Sequence, residues 1–153
     1  MADIDLGQLV SFRVGNEMFA TSISRVQEII RMPAVVKVPK SPDFVKGVIN
    51  LRGRVIPVVD LKTKFEIEGQ IKKDESRIII TEINNVMIGL IVDAVSEVIQ
   101  VSKSSFSDTP EIVSGAKKKF VKGVVQEKDE MIMVLNVDNI LSDDESNILK
   151  SVK

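Results

Sequence analysis

Apolar residues in this chain fall into short runs separated by turn-forming residues, a pattern that favours β-strands over long helices. Residues 9–14 and 18–23 are two such runs, and Gly15-Asn16 joins them. A Gly-Asn pair between two apolar runs favours a two-residue hairpin turn. The pattern therefore predicts a β-hairpin near the start of the chain.

The period of the pattern changes at Ser24. Val26, Ile29 and Ile30 fall at helical spacing, and Ser24 with Gln27 forms a capping-box pattern. The segment is too short to be stable as a free helix. We expect one or two helical turns that pack on the sheet.

The longest apolar unit spans residues 44–61, with one arm at Val45–Leu51 and another at residues 55–61. The turn between the arms contains Gly53, which supplies the backbone freedom that a tight turn needs. The unit is therefore predicted to be a hairpin with the cation of Arg52 at its tip. The loop before it contains three prolines and a possible short edge strand at residues 35–38.

The second half of the chain repeats the first. When the first two apolar runs are shifted by 69 positions, Gly15 falls on Asn84. The shifted runs then align, without a gap, with apolar runs at Arg77–Ile83 and Val86–Val92. The same shift places Asp93, a good N-cap residue, where the first copy has Ser24. The second copy is therefore predicted to contain the same hairpin and the same capped helical turn.

A shift of 76 positions aligns the unit of residues 44–61 with the end of the second half of the chain. Residues 44–48 recur identically as residues 120–124. Five identical residues within two longer matched blocks indicate an internal duplication. Each copy supplies about five short strands, and such strands bury their surface well when a sheet curls into a small barrel. We predict an all-β fold of two five-stranded β-barrel lobes packed together, with short helices.

The duplication also predicts the boundaries of the fold. One domain is expected over residues 9–141, with lobe one at about 9–68 and lobe two at about 76–141. Ser142 and Glu145 form another capping-box pattern. Residues 142–153 are therefore expected to form a C-terminal helix and tail, with Ile148 and Leu149 packed inward.

Composition narrows the possible functions. The formal net charge of −1 argues against a dedicated nucleic-acid binder, which usually presents a strongly basic face. The chain has no His, Cys, Trp or Tyr, so an enzyme would lack the usual general base and the thiolate nucleophile. It has no run long enough to span a membrane and no basic start typical of a signal peptide. We expect a soluble, cytosolic protein without catalysis or cofactor.

The two copies differ at the tip of the second hairpin. Residues 51–54 are apolar and basic, whereas residues 127–130 carry three acids and one lysine. Arg52 is therefore either a planar donor fork at an interface or a solvated surface residue. Glu28, whose twin is Glu97, either pairs with neighbouring arginines on a helix surface or faces a partner. On the residues alone, both alternatives stay open.

Two other classes of function compete with an interaction protein. A small barrel that binds nucleic acid would need stacking aromatics among Lys and Arg, but several of the six phenylalanines lie in apolar runs. An enzyme could use Asp60 or Asp93. The duplication disfavours this, because Asp60 aligns with Asn136 and Asp93 aligns with Ser24.

Residues 38–61, VPKSPDFVKGVINLRGRVIPVVDL, resemble the signature of the CheW family of bacterial chemotaxis coupling proteins. Residues 26–29 and 89–93 match other characteristic segments of that family in order. The resemblance covers residues 9–141. The same module forms the regulatory domain of the kinase CheA and part of CheV, but this chain has no room for a kinase or receiver domain. The resemblance therefore favours a stand-alone adaptor.

The resemblance implies two five-stranded barrels and a non-catalytic role that couples chemoreceptor cytoplasmic tips to the histidine kinase CheA. Such a protein would be recruited to receptor arrays at the inner face of the membrane. The residues that match the receptor-binding groove of the family are Val26, Glu28, Arg52, Met87 and Ile88. The candidates for contact with the CheA regulatory domain are Val36, Phe44 and Val45. Because two of these recur as Phe120 and Val121, a core role competes with an interface role.

Overall fold

The short apolar runs form eleven strands in residues 7–68, 74–108, 115–127 and 129–150, which are the residues that the computed structural model describes. The strands are β1 (Gln8–Val14), β2 (Glu17–Ser22), β3 (Glu28–Arg31), β4 (Val45–Leu51), β5 (Arg54–Asp60), β6 (Arg77–Ile83), β7 (Val86–Val92), β8 (Ala94–Gln100), β9 (Phe106–Ser107), β10 (Val121–Glu127) and β11 (Glu130–Leu135). The all-β class is confirmed. Lys128 and residues 151–153, on which predictions were made, lie outside the described residues.

Helical structure is short. The α-helices are α1 (Leu61–Phe65) and α2 (Asp143–Lys150). The 3₁₀ turns are Ile23–Arg25, Lys103–Ser105, Ala116–Phe120 and Val137–Asn139. In the part of the chain described, no helix has the length and apolar character needed to cross a membrane.

The strands form two sheets, and each sheet takes strands from both copies. The six-stranded sheet has the order β8-β1-β2-β11-β10-β9, and the five-stranded sheet has the order β3-β6-β7-β5-β4. The copies have thus exchanged their first hairpins, so the lobe boundaries predicted at 9–68 and 76–141 do not match the sheets. A repeat in the sequence identifies the unit, but it does not say which copy each strand pairs with. Closure of each sheet into a barrel stays a prediction.

The two sheets nevertheless have the same pattern of strand pairing. In the five-stranded sheet Val58 pairs with Gly89. In the other copy, Val134 corresponds to Val58 and Ala20 corresponds to Gly89, and these two residues pair in the six-stranded sheet. A bulge follows the first residue of β4 and recurs at the same place in β10. Since the pairing and its irregularities both repeat, the structure supports the internal duplication.

The helical turn predicted after Ser24 is mostly a strand. Only Ile23–Arg25 is helical, with Ser22 as its cap, and Glu28–Arg31 pairs antiparallel with β6. Pairing with a neighbouring strand has overridden the local spacing of apolar residues. In the second copy Asp93 precedes strand β8, so the prediction that it caps a helical turn is also wrong.

The loop of residues 32–43 contributes one isolated bridge, Val36 to Val48, at the predicted edge position. The bridge explains Gly47, where an added Cβ would lie 2.2 Å from the backbone oxygen of Val36 at a φ of +151°. Its twin Gly123 would meet the ring of Phe106 at 2.2 Å. Both glycines are therefore required by the segment that packs over them: the loop at Val36 for Gly47 and strand β9 for Gly123.

Gly47→Ala is expected to lower the free energy of unfolding by about 1–3 kcal/mol, because the methyl group forces the loop of Val36 away from β4. Gly53→Ala is the matched control, since Gly53 also has a positive φ (+86°) but open space around its Cβ position. Urea unfolding should show a clearly smaller loss for Gly53→Ala. Equal losses would mean that backbone strain, and not crowding, accounts for the effect.

The two sheets share one core. Phe19 of β2 packs on Phe65 of α1 with ring centroids 5.1 Å apart, and Phe65 packs on Phe120 at 5.3 Å. Ile88 of β7 belongs to the same buried cluster. Packing therefore fixes the lobes relative to each other, which gives surface features at their junction a defined shape.

The C-terminal helix closes one end of this junction. The capping box is present as predicted: Glu145 N donates to Ser142 Oγ (3.1 Å) and Ser142 N donates to Glu145 Oε1 (2.9 Å). Leu149 is buried, as predicted, but Ile148 is 45% exposed. Only one of the two residues expected to pack inward does so, because residues adjacent on a helix point about 100° apart.

Candidate protein-docking groove

A cleft of about 610 Å³, here called the groove, lies where the tips of two hairpins meet α2. It is lined by Gln27, Arg54, Val55, Pro57, Glu82, Asn85, Val86, Met87, Leu149 and Lys150. Val55 and Met87 supply apolar surface, whereas Arg54, Glu82 and Lys150 supply charge. This mixture suits a helix with one apolar face and polar flanks.

An ion pair flanks the groove. The guanidinium of Arg52 donates to both carboxylate oxygens of Glu28, with Nη1 3.0 Å from Oε2 and Nη2 bonded to Oε1. The turn that carries Arg52 has positive φ at Arg52 (51°) and at Gly53 (86°), the geometry of a type I′ hairpin. Gly53 N donates to Asn50 Oδ1 at 2.8 Å, which fixes the turn. The hairpin thus holds the guanidinium against β3.

Arg52 remains available to solvent although it is paired. Its side chain is 69% exposed, against 33% for Glu28. The hydrogen bond from Arg52 lowers the pKa of the Glu28 carboxyl, and the same bond raises the pKa of Arg52. The alternative in which Glu28 pairs with Arg25 or Arg31 on a helix is wrong, because this segment is a strand and the partner of Glu28 comes from the hairpin tip. The pair presents two charges of opposite sign at the surface of the protein.

Arg25 anchors the segment that leads into β3. Its Nη1 and Nη2 donate to the carboxylate of Asp138 at 3.0 and 2.8 Å, and Nη2 also donates to the carbonyl of Glu82 at 2.8 Å. Thr81 Oγ1 donates to the carbonyl of Arg25 at 2.6 Å. The hydrogen bond from Arg25 lowers the pKa of Asp138. Arg25 therefore ties the residues before Glu28 to β6 and to the 3₁₀ turn Val137–Asn139.

A second set of polar contacts seats α2 beside the groove. Lys64 Nζ donates to both carboxylate oxygens of Glu145 at 2.7 and 2.6 Å, and it lies 4.1 Å from the ring centroid of Phe44. Asn84 Nδ2 donates to Ser146 Oγ at 2.9 Å. These contacts hold α2 on α1 and on the turn between β6 and β7, and they fix the end of the groove that Leu149 lines.

Glu145→Gln is expected to destabilise the protein by about 0.5–1 kcal/mol at pH 7 and to have a smaller effect at pH 3. Burial opposes ionisation of this carboxyl, but hydrogen bonds from Lys64 and Ser142 outweigh burial and lower its pKa from 4.5. A carboxyl whose pKa falls on folding contributes stability above its unfolded pKa and loses it as pH drops through the folded value. Urea unfolding at the two pH values measures this. A wild-type advantage of equal size at both would contradict it.

The residues matched to receptor binding divide into two groups. Val26 and Met87 are partly buried on the core, and Met87 lines the groove; Glu28 and Arg52 form the flanking pair. Ile88 is 0% exposed, because successive residues of β7 point to opposite faces and Ile88 points into the core. Ile88 therefore cannot contact a partner directly, and the expectation for this residue is corrected.

The residues suggested for kinase binding also divide. Val36 is 64% exposed beside β4, and Phe44 is partly buried under the ammonium of Lys64. Val45 is buried in the core shared by the two sheets. The core role of Val45, which its duplication as Val121 suggested, excludes a direct contact. Val36 and Phe44 remain candidates.

The two acidic residues considered for catalysis have structural partners. Asp60 accepts from Lys62 N at 3.0 Å and thereby caps α1. Asp93 accepts from Gly15 N at 2.6 Å and pairs with Lys62 Nζ at 2.6 Å. Both carboxylates are buried. Their hydrogen bonds account for their presence without a catalytic role.

Several groove residues were missed from the sequence. Arg54 belongs to the tip of the second hairpin, and Val55 and Pro57 belong to its second arm, but none of the three was among the predicted site residues. Arg25, which lies beside the groove, pairs with Asp138 across 113 positions of chain. The twin of Val55 is Met131, and both are exposed apolar residues on strands. That shared exposure is a signal in the duplication, but it becomes visible only once burial is known.

Comparison with known proteins identifies the family of the chain. The CheW-like domain model matches residues 8–145. The chemotaxis protein CheW of Rhizobium meliloti is 33% identical over 138 residues, covering 90% of this chain and 89% of the relative. The CheW of Thermotoga maritima is also 33% identical, over 136 residues that cover 89% of this chain and 88% of the relative. The crystal structure of the scaffolding protein TtCheW from Thermoanaerobacter tengcongensis superposes with a TM-score of 0.83 at 36% identity, covering 91% and 94% of the two chains. The chain belongs to the CheW-like family.

Proposed function

We propose that this protein is a non-catalytic chemotaxis adaptor that couples chemoreceptor cytoplasmic tips to the histidine kinase CheA. It would act in receptor arrays at the inner face of the membrane. Membership of the CheW-like family and similarity to proteins named as chemotaxis and scaffolding proteins support this function. An adaptor needs two separate docking surfaces, and the structure offers candidates for both.

The observation that carries the proposal is the exposed Glu28–Arg52 pair beside an apolar groove. A receptor tip is a helical hairpin, and a helix binds such a groove through one apolar face. Met87 and Val55 would contact that face. The paired charges would fix the register of the helix, because charges at the rim of an interface select its orientation.

The candidate surface for the kinase lies beside the outer edge of the five-stranded sheet. Val36 is exposed there and is held to β4 by its bridge to Val48. An exposed valine on a fixed edge can pack against an apolar face of the CheA regulatory domain. Because the groove lies instead at the hairpin tips and α2, one chain could hold both partners at once.

The alternative function of nucleic-acid binding finds no support. Of the six phenylalanines, Phe12, Phe19, Phe65 and Phe120 are buried and cannot stack on bases. The remaining two are partly buried on core clusters. With a net charge of −1, the chain also lacks the positive field that draws nucleic acid.

Binding measured separately for the two partners tests the proposal. Purified protein should bind a receptor cytoplasmic fragment and the isolated CheA regulatory domain, each without the other. Val36→Asp should weaken CheA binding about tenfold or more and leave receptor binding unchanged, since an interface core does not accept an unpaired carboxylate. Failure to bind either partner would refute the adaptor function. Loss of both by Val36→Asp would refute the separation of the surfaces.

A further inference from the structure

Lys64 of α1 is a nearly buried lysine at a position where the fold accepts an apolar residue. The shift of 76 positions places Ile140 at the matched site of the second copy, and Ile140 is 0% exposed in the shared core. The side chain of Lys64 is only 10% exposed. Lysine is seldom buried unless its ammonium is paired, whereas an aliphatic side chain fills the same site in the twin. The duplication therefore points to a role for Lys64 beyond the scaffold.

The ammonium of Lys64 is held by aromatic rings and by α2. It lies 4.1 Å from the ring centroid of Phe44 and 5.9 Å from that of Phe120, which are matched residues of the two copies. It also donates to both carboxylate oxygens of Glu145 at 2.7 and 2.6 Å. A cation beside aromatic rings is favourable, and a partly buried ion pair is screened little by salt. The rings thus fix the point at which the first turn of α2 docks.

The ion pair acts on the groove through the geometry of α2. Glu145 and Leu149 are four residues apart, and residues at that spacing lie on the same face of a helix. A carboxylate held inward at the first turn therefore directs Leu149 inward at the last turn, where it is buried and lines the groove beside Lys150. Lys64 is not among the described residues that line the groove, so its influence there passes through α2.

Few contacts keep α2 docked. It has eight residues, and a helix of that length is not stable alone in water. Its buried residues are Ser146 and Leu149, and Ser146 Oγ accepts a hydrogen bond from Asn84 Nδ2. A terminal helix with so little buried surface opens at a lower free energy than the sheets do. Loss of the pair with Lys64 therefore moves α2 toward an open state.

We propose that Lys64 is a positioning residue for receptor binding, because it holds α2 as the wall of a groove that binds its partner only when α2 is docked. The inference rests on the proposed function, in which the groove receives a receptor helix. A ligand that binds only the docked state stabilises that state, and its affinity falls with the docked fraction. Receptor affinity and the opening of α2 are therefore linked, and Lys64 sets both.

Hydrogen exchange of the amides of residues 146–150 measures the opening of α2. Lys64→Ile installs the residue of the twin position, so the variant should fold. We expect the α2 amides to exchange about three- to tenfold faster in this variant. A saturating receptor cytoplasmic fragment should slow the same amides in the wild-type protein. Gly47→Ala is the matched control, because it lowers global stability at a site away from α2 and should leave the opening of α2 and receptor affinity unchanged.

Receptor affinity measures the consequence for binding. Lys64→Ile should lower the affinity about threefold or more, because the docked fraction falls. Lys64→Arg should restore it, since a guanidinium also pairs with the carboxylate of Glu145. Glu145→Gln should lower the affinity as well, and the double variant Lys64→Ile with Glu145→Gln should lose no more than either single variant, because both substitutions remove one contact.

Three outcomes would overturn the proposal. These are unchanged exchange of the α2 amides in Lys64→Ile, unchanged receptor affinity despite faster exchange, and additive losses in the double variant. Receptor binding that is equally strong in the wild-type protein and in Lys64→Ile would reject the role of Lys64 alone. Absence of receptor binding by the wild-type protein would reject the proposed function together with the role of Lys64 in it.

Discussion

Arg52→Glu is expected to abolish receptor-dependent control of the kinase while the protein stays folded. The substitution sets a carboxylate against Glu28 and reverses the charge presented at the tip of the β4–β5 hairpin. Exposed ion pairs contribute little to stability, so unfolding by urea should change only slightly. Reversal of a charge at the rim of an interface weakens binding much more, and we expect receptor affinity to fall about tenfold or more.

Two controls separate the possible causes of that loss. Lys118→Glu makes the same change of charge in the turn of residues 116–120, outside the groove lining, and should retain coupling. The exchange Glu28→Arg with Arg52→Glu keeps an ion pair but inverts its direction. Loss of coupling in the exchange variant would mean that the receptor contacts the arginine itself. Normal coupling by Arg52→Glu would refute the assignment of Arg52.

Lys62→Met is expected to cause the largest loss of stability, about 3–5 kcal/mol. Lys62 Nζ lies 2.6 Å from Asp93 Oδ1, and the two side chains are only 8% and 9% exposed. Asp93 Oδ2 also accepts from Gly15 N at 2.6 Å. Removal of the ammonium leaves a buried carboxylate without its counter-charge, at a point where α1, the end of β7 and the first hairpin meet.

The double variant Lys62→Met with Asp93→Asn provides the control. It removes both charges and keeps an amide oxygen that can accept from Gly15 N. Replacement of a buried ion pair by neutral residues is often nearly neutral, so the double variant should recover most of the loss. Urea unfolding of the three proteins measures both effects. A loss below about 1 kcal/mol for Lys62→Met would show that the ion pair between Lys62 and Asp93 contributes little to the free energy of unfolding.

Local patterns predicted the hairpins well. Gly15-Asn16, Asn84-Asn85 and the Arg52-Gly53 turn all connect antiparallel strands, and positive φ angles occur at these turns. The capping box of α2 was also predictable, because it depends on residues three positions apart. Turn chemistry and helix caps are local interactions, so they are visible in the sequence.

Contacts between distant segments could not be predicted in the same way. The exchange of hairpins between the copies is a pairing of strands that are distant in the chain, and the segment expected to be helical after Ser24 instead pairs with β6. Arg25 with Asp138 and Lys64 with Glu145 join residues far apart in the chain. Of the residues matched to the receptor groove, four retain accessible surface, whereas burial of Ile88 became visible only in the structure.

Reconstituted kinase activity tests the adaptor function most directly. A receptor cytoplasmic fragment assembled on vesicles is combined with CheA, with and without this protein, and phosphorylation of CheA is measured. We predict that kinase activity responds to the receptor only when the protein is present, and that Arg52→Glu abolishes that response. Kinase activity that ignores the receptor in the presence of the wild-type protein, although both partners bind, would contradict the account.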